Sequence, residues 1–299
     1  MLTPWLELPS VAEQVAAFSE SAQVDLLAHG TTSDADTIRD TAVAQPLIVA
    51  SSLIAARAVF AGRDPASDIA VTAGHSVGEF AAAALAGAFS DASAVGLVAH
   101  RARFMAAAAA IEPTGMAAII GGNPLEVLDA IEAAGLFPAN MNSETQVVAA
   151  GSLDGIARLQ ENAPARARVI PLQVAGAFHT PYMLSAHEQF APVAAGWDSS
   201  DATISFVSNS NGRPVTGGAH GFGSGPDIAA LLTSQIISPV RWDLCQAMFA
   251  DLGITGLLEL APGGVLTGLA KRSLKGVELV AIKSPDDLDA ARDLVARHA

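Results

Sequence analysis

The chain of 299 residues holds a single cysteine, Cys245, and only three lysines, Lys271, Lys275 and Lys283. One cysteine excludes an internal disulfide and fits a reducing compartment, so a cytoplasmic location is expected. Cys245 sits in Trp242-Asp243-Leu244-Cys245-Gln246-Ala247-Met248-Phe249, an amphipathic pattern that reads as a core thiol more readily than a catalytic one. Basic residues number 16 against 30 acidic ones, a formal net charge of -14, and no basic run breaks the balance. Nucleic acid is thereby excluded as an expected partner. Charged residues make up only 15 % of the chain, against 51 % hydrophobic, which permits a large core and argues against disorder. No basic segment followed by an apolar stretch opens the sequence, so no signal peptide is read. Asp and Arg interrupt the long alanine-rich runs, and none reads as membrane-spanning.

Helix and strand patterns alternate along most of the chain. Apolar residues recur at helical spacing from Asp40 to Ala61, with Pro46 marking a start or a kink. Ile69-Ala70-Val71-Thr72-Ala73 is a short buried strand. Gly74 to Gly78 turns it into a helix over Glu79–Ala86, and Ser90 or Asp91 caps another that runs to about Ala110. A different rhythm comes next: strand 116–120, helix 124–134, strands 137–141 and 146–150, helix 153–160, strand 167–174. This βαββαβ order is the ferredoxin-like pattern. A small inserted domain is therefore expected at 113–174, with 1–112 and 175–299 forming an α/β core. Beyond it come a helix from Pro181, a strand at 204–207 and a glycine-rich loop at 217–225. Helices from Asp227 and Pro239, a strand at 256–260, a tight turn at Pro262-Gly263-Gly264 and a final helix near Asp286 complete the chain. The alternation predicts a mostly parallel sheet of α/β-hydrolase type in the larger part.

Gly74-His75-Ser76-Val77-Gly78, between a strand and a helix, has the form of a nucleophile elbow. Such a turn needs small neighbours, lifts the serine hydroxyl clear of the sheet, and aims the Val77 N–H where an oxyanion develops. The same residues also suit a helix-capping serine in a glycine-rich turn. A serine nucleophile needs a base. Of seven histidines, His29, His220 and His298 lie in polar or terminal stretches and read as solvated. His100 and His187 lie on helices, and His75 points away from the hydroxyl. His179, where the chain re-enters the core, stands out by position. Arg101 shares a helix face with Val98 and Met105. Its guanidinium suits either a snorkelling stem or a bidentate grip on a carboxylate.

Together these stretches resemble malonyl-CoA:acyl carrier protein transacylases and the acyltransferase domains of fatty acid and polyketide synthases. The resemblance runs through Gln45-Pro46, Gly74 to Phe80, Arg101 with Met105, Gly115-Met116, Asn140-Met141-Asn142 and Gln146-Val147-Val148. It continues through Gly176-Ala177-Phe178-His179, Ser238 to Trp242 and Pro262 to Leu269. It implies that Ser76 takes malonyl from malonyl-CoA and yields it to the phosphopantetheine thiol of acyl carrier protein, in fatty acid synthesis. His179 would be the base, oriented by a main-chain carbonyl near Gln235, and Val77 would supply an oxyanion donor. Arg101 would pair with the malonyl carboxylate, supported by Gln45. Met105 and His75 would line the pocket, Asn140 and Asn142 would lie at its entrance, and Phe178 would disfavour a C2 methyl. Malonyl-CoA is a substrate, no metal or cofactor is implied, and a soluble monomer is expected. The family pattern opens with a strand ending in Gly-Gln-Gly-x-Gln, whose last glutamine gives a second oxyanion N–H. Here Met1-Leu2-Thr3-Pro4-Trp5 matches the stretch just after that strand and turn, so roughly a dozen residues or more are expected to be missing. Two other readings stay open: a serine esterase or thioesterase of α/β-hydrolase type, and a truncated protein that binds acyl carrier protein without turnover.

Overall fold

The computed structural model describes residues 1–299. Helices α1 (Val11–Ala22), α2 (Leu26–Thr31) and α3 (Thr41–Phe60) precede the first strand. Pro46 neither starts nor ends α3. The helix begins at Thr41, where the Asp40 side chain accepts from the Ala42 N–H, and Pro46 lies inside it. Helix α3 is long and apolar enough to cross a membrane by length and composition, but 72 % of its apolar window is buried in this protein's own core. Strand β1 (Val71–Ala73) leads through the Gly74–Val77 turn into α4 (Gly78–Leu85), and α5 (Asp91–Ala109) comes after it, capped by Ser90. Alanines on these helices bring α3, α4 and α5 into one apolar cluster with Leu53, Phe80 and Leu97.

Next come β2 (Thr114–Gly121), α6 (Pro124–Ala133), β3 (Phe137–Ser143), β4 (Gln146–Ser152), α7 (Leu153–Glu161) and β5 (Ala167–Pro171). They form one antiparallel sheet in the order β3-β4-β2-β5, the ferredoxin-like arrangement. Side chains alternate across it. Ala117, Ile119 and Val147 pack under α6 and α7, while Met116, Ala118 and Val148 face Ala177 and Phe178. Strand β5 stops at Pro171 instead of reaching Val174, and Leu172 and Val174 are exposed. The sheet is stitched to the rest of the chain at β3. Val240 N–H donates to Ala139 O (2.9 Å) and Met141 N–H to Val240 O (2.8 Å). That pairing holds Val240 extended, so the next helix begins at Trp242 rather than Pro239.

The remaining elements are α8 (Leu184–Ala195), β6 (Ser205–Val207), α9 (Gly225–Ser234), α10 (Trp242–Asp251), β7 (Gly256–Glu259), α11 (Val265–Ser273), β8 (Glu278–Ala281) and α12 (Leu288–His298). Strand β8 lies in the short apolar run Val277–Ile282, which the helical rhythm around it obscures. The parallel strands pair as β1 with β6 and β7 with β8. Both pairs share the same layers. Val71, Ala73, Leu257 and Leu279 pack on the side of α10 and α11, and Phe206, Leu258 and Val280 on the side of the large cluster. His298, read from sequence as solvated, is partly buried: its ring meets Thr255 Oγ1 at 2.8 Å and Glu278 Oε2 at 3.0 Å, tying α12 to β8.

Candidate active site

The turn after β1 is tight because of Gly74. A β-carbon built there would lie 2.0 Å from the carbonyl carbon of Gly78, so only glycine fits. Ser76 adopts a left-handed backbone, φ 50°. Asn209, just after β6, holds the turn from beneath. Its Oδ1 accepts the Ser76 N–H (2.8 Å) and its Nδ2 donates to Gly74 O (2.7 Å). The Ser76 N–H is thus engaged, whereas the Val77 N–H has no acceptor in the chain. It lies at the head of α4, where the helix dipole favours negative charge.

Ser76 Oγ lies 2.7 Å from His179 Nε2. The other ring nitrogen, Nδ1, is 2.8 Å from the main-chain oxygen of Gln235. A carbonyl only accepts, so Nδ1 carries the hydrogen and Nε2 offers its lone pair to the serine hydroxyl. Burial, reinforced by the nearby Arg101 charge, pushes the His179 pKa down to about 3, so the ring is neutral at neutral pH and its Nε2 lone pair is free. His179 also has a left-handed backbone, φ 63°, steadied by Thr180 Oγ1 donating to Ala177 O (2.6 Å).

Arg101, on α5, is 1 % exposed. Its Nη1 donates to Gln45 Oε1 (2.5 Å) and its Nη2 to Gln235 Oε1 (2.7 Å), with Nη2 3.4 Å from Ser76 Oγ. The guanidinium lies 5.7 Å over the Phe80 ring. Burial lowers its pKa to about 10, with Glu79 opposing, and it stays charged at neutral pH. Gln45 is fixed in turn by Met105 Sδ at 3.6 Å. A carboxylate within reach of the Ser76 hydroxyl would therefore meet a preset cation.

The other residues singled out from sequence divide. His75 turns away from Ser76, bonds Asn142 Oδ1 at 2.8 Å and packs edge-on against Trp242. Burial keeps its pKa below the ordinary histidine value. Asn140 and Asn142 are both buried rather than at an entrance. Asn140 pairs along its backbone with Val240, and no hydrogen bond joins its side chain to Ser76, His179 or Arg101. Phe178 is half-buried between the small sheet and the large cluster. Gln235 supplies its side chain as well as the expected main-chain carbonyl. Asn209 and Glu79 have no role legible in the sequence. Asn209 sits in Ser208-Asn209-Ser210-Asn211-Gly212, which reads as an ordinary turn, and Glu79 looks like a surface residue of a first helical turn. No three metal-ligating side chains converge anywhere in the chain.

The acyl transferase domain family matches residues 10–283. The malonyl CoA-acyl carrier protein transacylase of Mycobacterium tuberculosis (strain H37Rv) is 48 % identical over 299 residues, 98 % of this chain and 95 % of that protein. The Escherichia coli K12 protein of the same name is 32 % identical, covering 96 % of this chain and 92 % of its own. The crystal structure of the transacylase from Mycobacterium tuberculosis superposes with a TM-score of 0.90 at 47 % identity, over 97 % of this chain and 94 % of that one. A malonyl-transacylase solved in complex with a type II PKS acyl-carrier protein superposes with a TM-score of 0.87 at 27 % identity, over 98 % and 94 % of the two chains.

Proposed function

The chain belongs to the acyl transferase family, and from that footing we propose that Ser76 is the nucleophile of a two-step exchange with His179 as its base. The activity is transfer of malonyl from malonyl-CoA to acyl carrier protein in fatty acid biosynthesis. The observation that carries the residue roles is the contact of 2.7 Å between Ser76 Oγ and a neutral His179 Nε2, with the Arg101 guanidinium beside it.

In the first half, the Ser76 oxygen attacks the thioester carbonyl and its proton passes to His179 Nε2. The oxyanion is met by the Val77 N–H, and the C–S bond breaks as the proton goes to the departing coenzyme A thiolate. In the second half, the pantetheine thiol of acyl carrier protein gives its proton to His179 and attacks the malonyl ester. Ser76 oxygen leaves and recovers the proton. Arg101 holds the free malonyl carboxylate through both halves, braced by Gln45 and Gln235. Phe178 closes the space beside C2 and so opposes a methyl there. His75 and Asn142 support the elbow's outer side, Met105 backs Gln45, and Asn140 shapes the wall behind.

Residues 113–174 form, in this reading, a unit inserted between 1–112 and 175–299, and the enzyme acts as a cytoplasmic monomer. The test is brief incubation with malonyl-CoA, then intact-protein mass measurement. One malonyl group per chain is expected on Ser76, and none in Ser76→Ala. Equal labelling of the variant would place the nucleophile elsewhere.

A further inference from the structure

Two buried charges of opposite sign lie under the elbow without touching. Arg101 is 1 % exposed, and Glu79 is fully buried. No ion pair joins them, because Gln235 stands between. Gln235 Oε1 accepts from Arg101 Nη2, while its Nε2 donates to Glu79 Oε2 and to Ser76 O (3.0 Å).

The two ends of an amide are not interchangeable, since the oxygen only accepts and the nitrogen only donates. A carboxylate can receive the NH₂ but has nothing to offer an oxygen. Glu79, acting with the Ser76 carbonyl, therefore sets which way the Gln235 amide lies. With the NH₂ on Glu79, the oxygen must face Arg101. Reversed, the NH₂ would meet guanidinium donors, and the oxygen would meet the Glu79 carboxylate and the Ser76 carbonyl.

Arg101 depends on that orientation. Its Nε is buried with no partner, so the short bonds that fix the guanidinium are those of Nη1 to Gln45 and Nη2 to Gln235, with a longer one from Nη2 to Ser76 Oγ and the Phe80 ring beneath. Take away the second and one short bond, to Gln45, is left to set the plane. The other Glu79 oxygen accepts the Asn209 N–H at 2.5 Å, so one carboxylate receives two separate donors.

We infer that Glu79 is a positioning residue for acyl-group selection: by setting the Gln235 amide, it aims Arg101 at the carboxylate of the incoming acyl group. The inference rests on the reading of Arg101 as the carboxylate's partner. It gives a buried acid, with no assigned contact to substrate, a part in choosing the substrate.

Titration offers a handle. Burial lifts the Glu79 carboxyl to about 7, against the pull of its bonds to Asn209 and Gln235 and of the Arg101 charge. The other titratable groups around it are Arg101, His179, His75 and Cys245. Arg101 stays charged, the two rings are held neutral, and the Cys245 thiol is pushed up. Glu79 is thus the member of the group that changes charge near neutrality. A proton on it turns one acceptor into a donor and leaves the Ser76 carbonyl alone to hold the amide's NH₂ end.

The experiment compares single-turnover loading from malonyl-CoA and from acetyl-CoA in Glu79→Gln, Gln235→Met and the double variant. A glutamine at 79 has one acceptor oxygen for two donors, and a methionine at 235 keeps the main-chain carbonyl that orients His179. Each single change should lower malonyl loading at least tenfold more than acetyl loading, and the double variant should show no further loss of that preference. In the parent the malonyl preference should fall between pH 8 and pH 6, and in Glu79→Gln it should be flat. Equal losses on both acyl donors, additive effects, or an unchanged pH profile would overturn the inference. If Glu79→Gln does not fold, Gln235→Met decides by the same ratio. Arg101→Ala, measured alongside, separates the two claims. If it leaves the ratio intact, the reading of Arg101 fails. If it collapses the ratio while the other variants do not, only the role of Glu79 fails.

Discussion

Ser76 and His179 face each other at 2.7 Å from two left-handed backbone positions, φ 50° and 63°. For residues other than glycine such positions cost on the order of 1–3 kcal/mol each and persist only where the surroundings enforce them. The enforcement is visible. Asn209 grips the turn that carries Ser76, and Thr180 and the Gln235 carbonyl grip the loop that carries His179.

Gly74→Ala should therefore disable the elbow. The added carbon meets backbone at 2.0 Å, which no side-chain rotation relieves. Malonyl loading is expected to fall at least about a hundredfold, comparable to loss of an oxyanion donor, with a lower melting temperature. Asn209→Ala is the milder probe. It leaves a buried N–H and a buried carbonyl unpaired, about 1–3 kcal/mol. Urea unfolding that shows no loss for Asn209→Ala would mean the grip is not what holds the turn.

Arg101→Ala should depress malonyl transfer far more than acetyl transfer, by roughly 10- to 150-fold, the worth of a charge-assisted contact of about 1.5–3 kcal/mol. Lysine should replace it poorly, having no planar fork to span Gln45 and Gln235. Steady-state rates on the two acyl donors give the answer, and equal losses would assign Arg101 to structure.

Stability should respond to acid in a way that names its causes. His179 titrates at about 3 when folded and near 6.5 when unfolded, so below pH 6.5 the unfolded chain binds a proton that the folded one refuses. Its contribution falls with pH from 6.5 down to about 3, with a slope that approaches about 1.4 kcal/mol per pH unit. Glu79 has the opposite sign. Its folded value of about 7 lies above the unfolded 4.5, so its contribution is full below 4.5 and is lost as pH rises through 7. Urea midpoints at pH 5.5 and 7.5 should show a smaller acid loss in His179→Gln and a larger one in Glu79→Gln. Identical pH slopes in all three proteins would refute the assignment.

Docking of an acidic carrier must overcome a formal net charge of -14. Two local groups of cations offer themselves. Lys271 and Arg272 close α11, with Lys275 just beyond, and Arg166 and Arg168 flank the start of β5. Charge reversal at one of them should raise the KM for acyl carrier protein and leave malonyl-CoA loading unchanged. Carrier kinetics that ignore every reversal would exclude both.

The elbow, His179 and Arg101 stood out by residue type and position, Gln45 only through the resemblance, and the small sheet because its rhythm differs from that of its surroundings. What the sequence hid is the frame. Asn209 and Glu79 act through hydrogen bonds to backbone that lies 130 or more positions away, and no local pattern reports such a bond. The Gln235 side chain is hidden for the same reason: its main-chain role was implied by resemblance, but its amide joins Arg101, Ser76 and Glu79 only once the chain is folded. Pro46 left a start or a kink open from sequence, and the helix begins before it, at Thr41, with the proline inside.

Cys245 lies fully buried on α10 against Ser208 and Asn209, and burial pushes its thiol up. In a reaction whose donor and acceptor are both thiols, the protein itself brings no competing nucleophilic sulfur. A disulfide-exchange dye added to the native enzyme with malonyl-CoA will therefore colour only with released coenzyme A. The loading half-reaction, one coenzyme A released per chain, becomes readable without blocking the enzyme, and colour that develops in the enzyme alone becomes a direct report of unfolding.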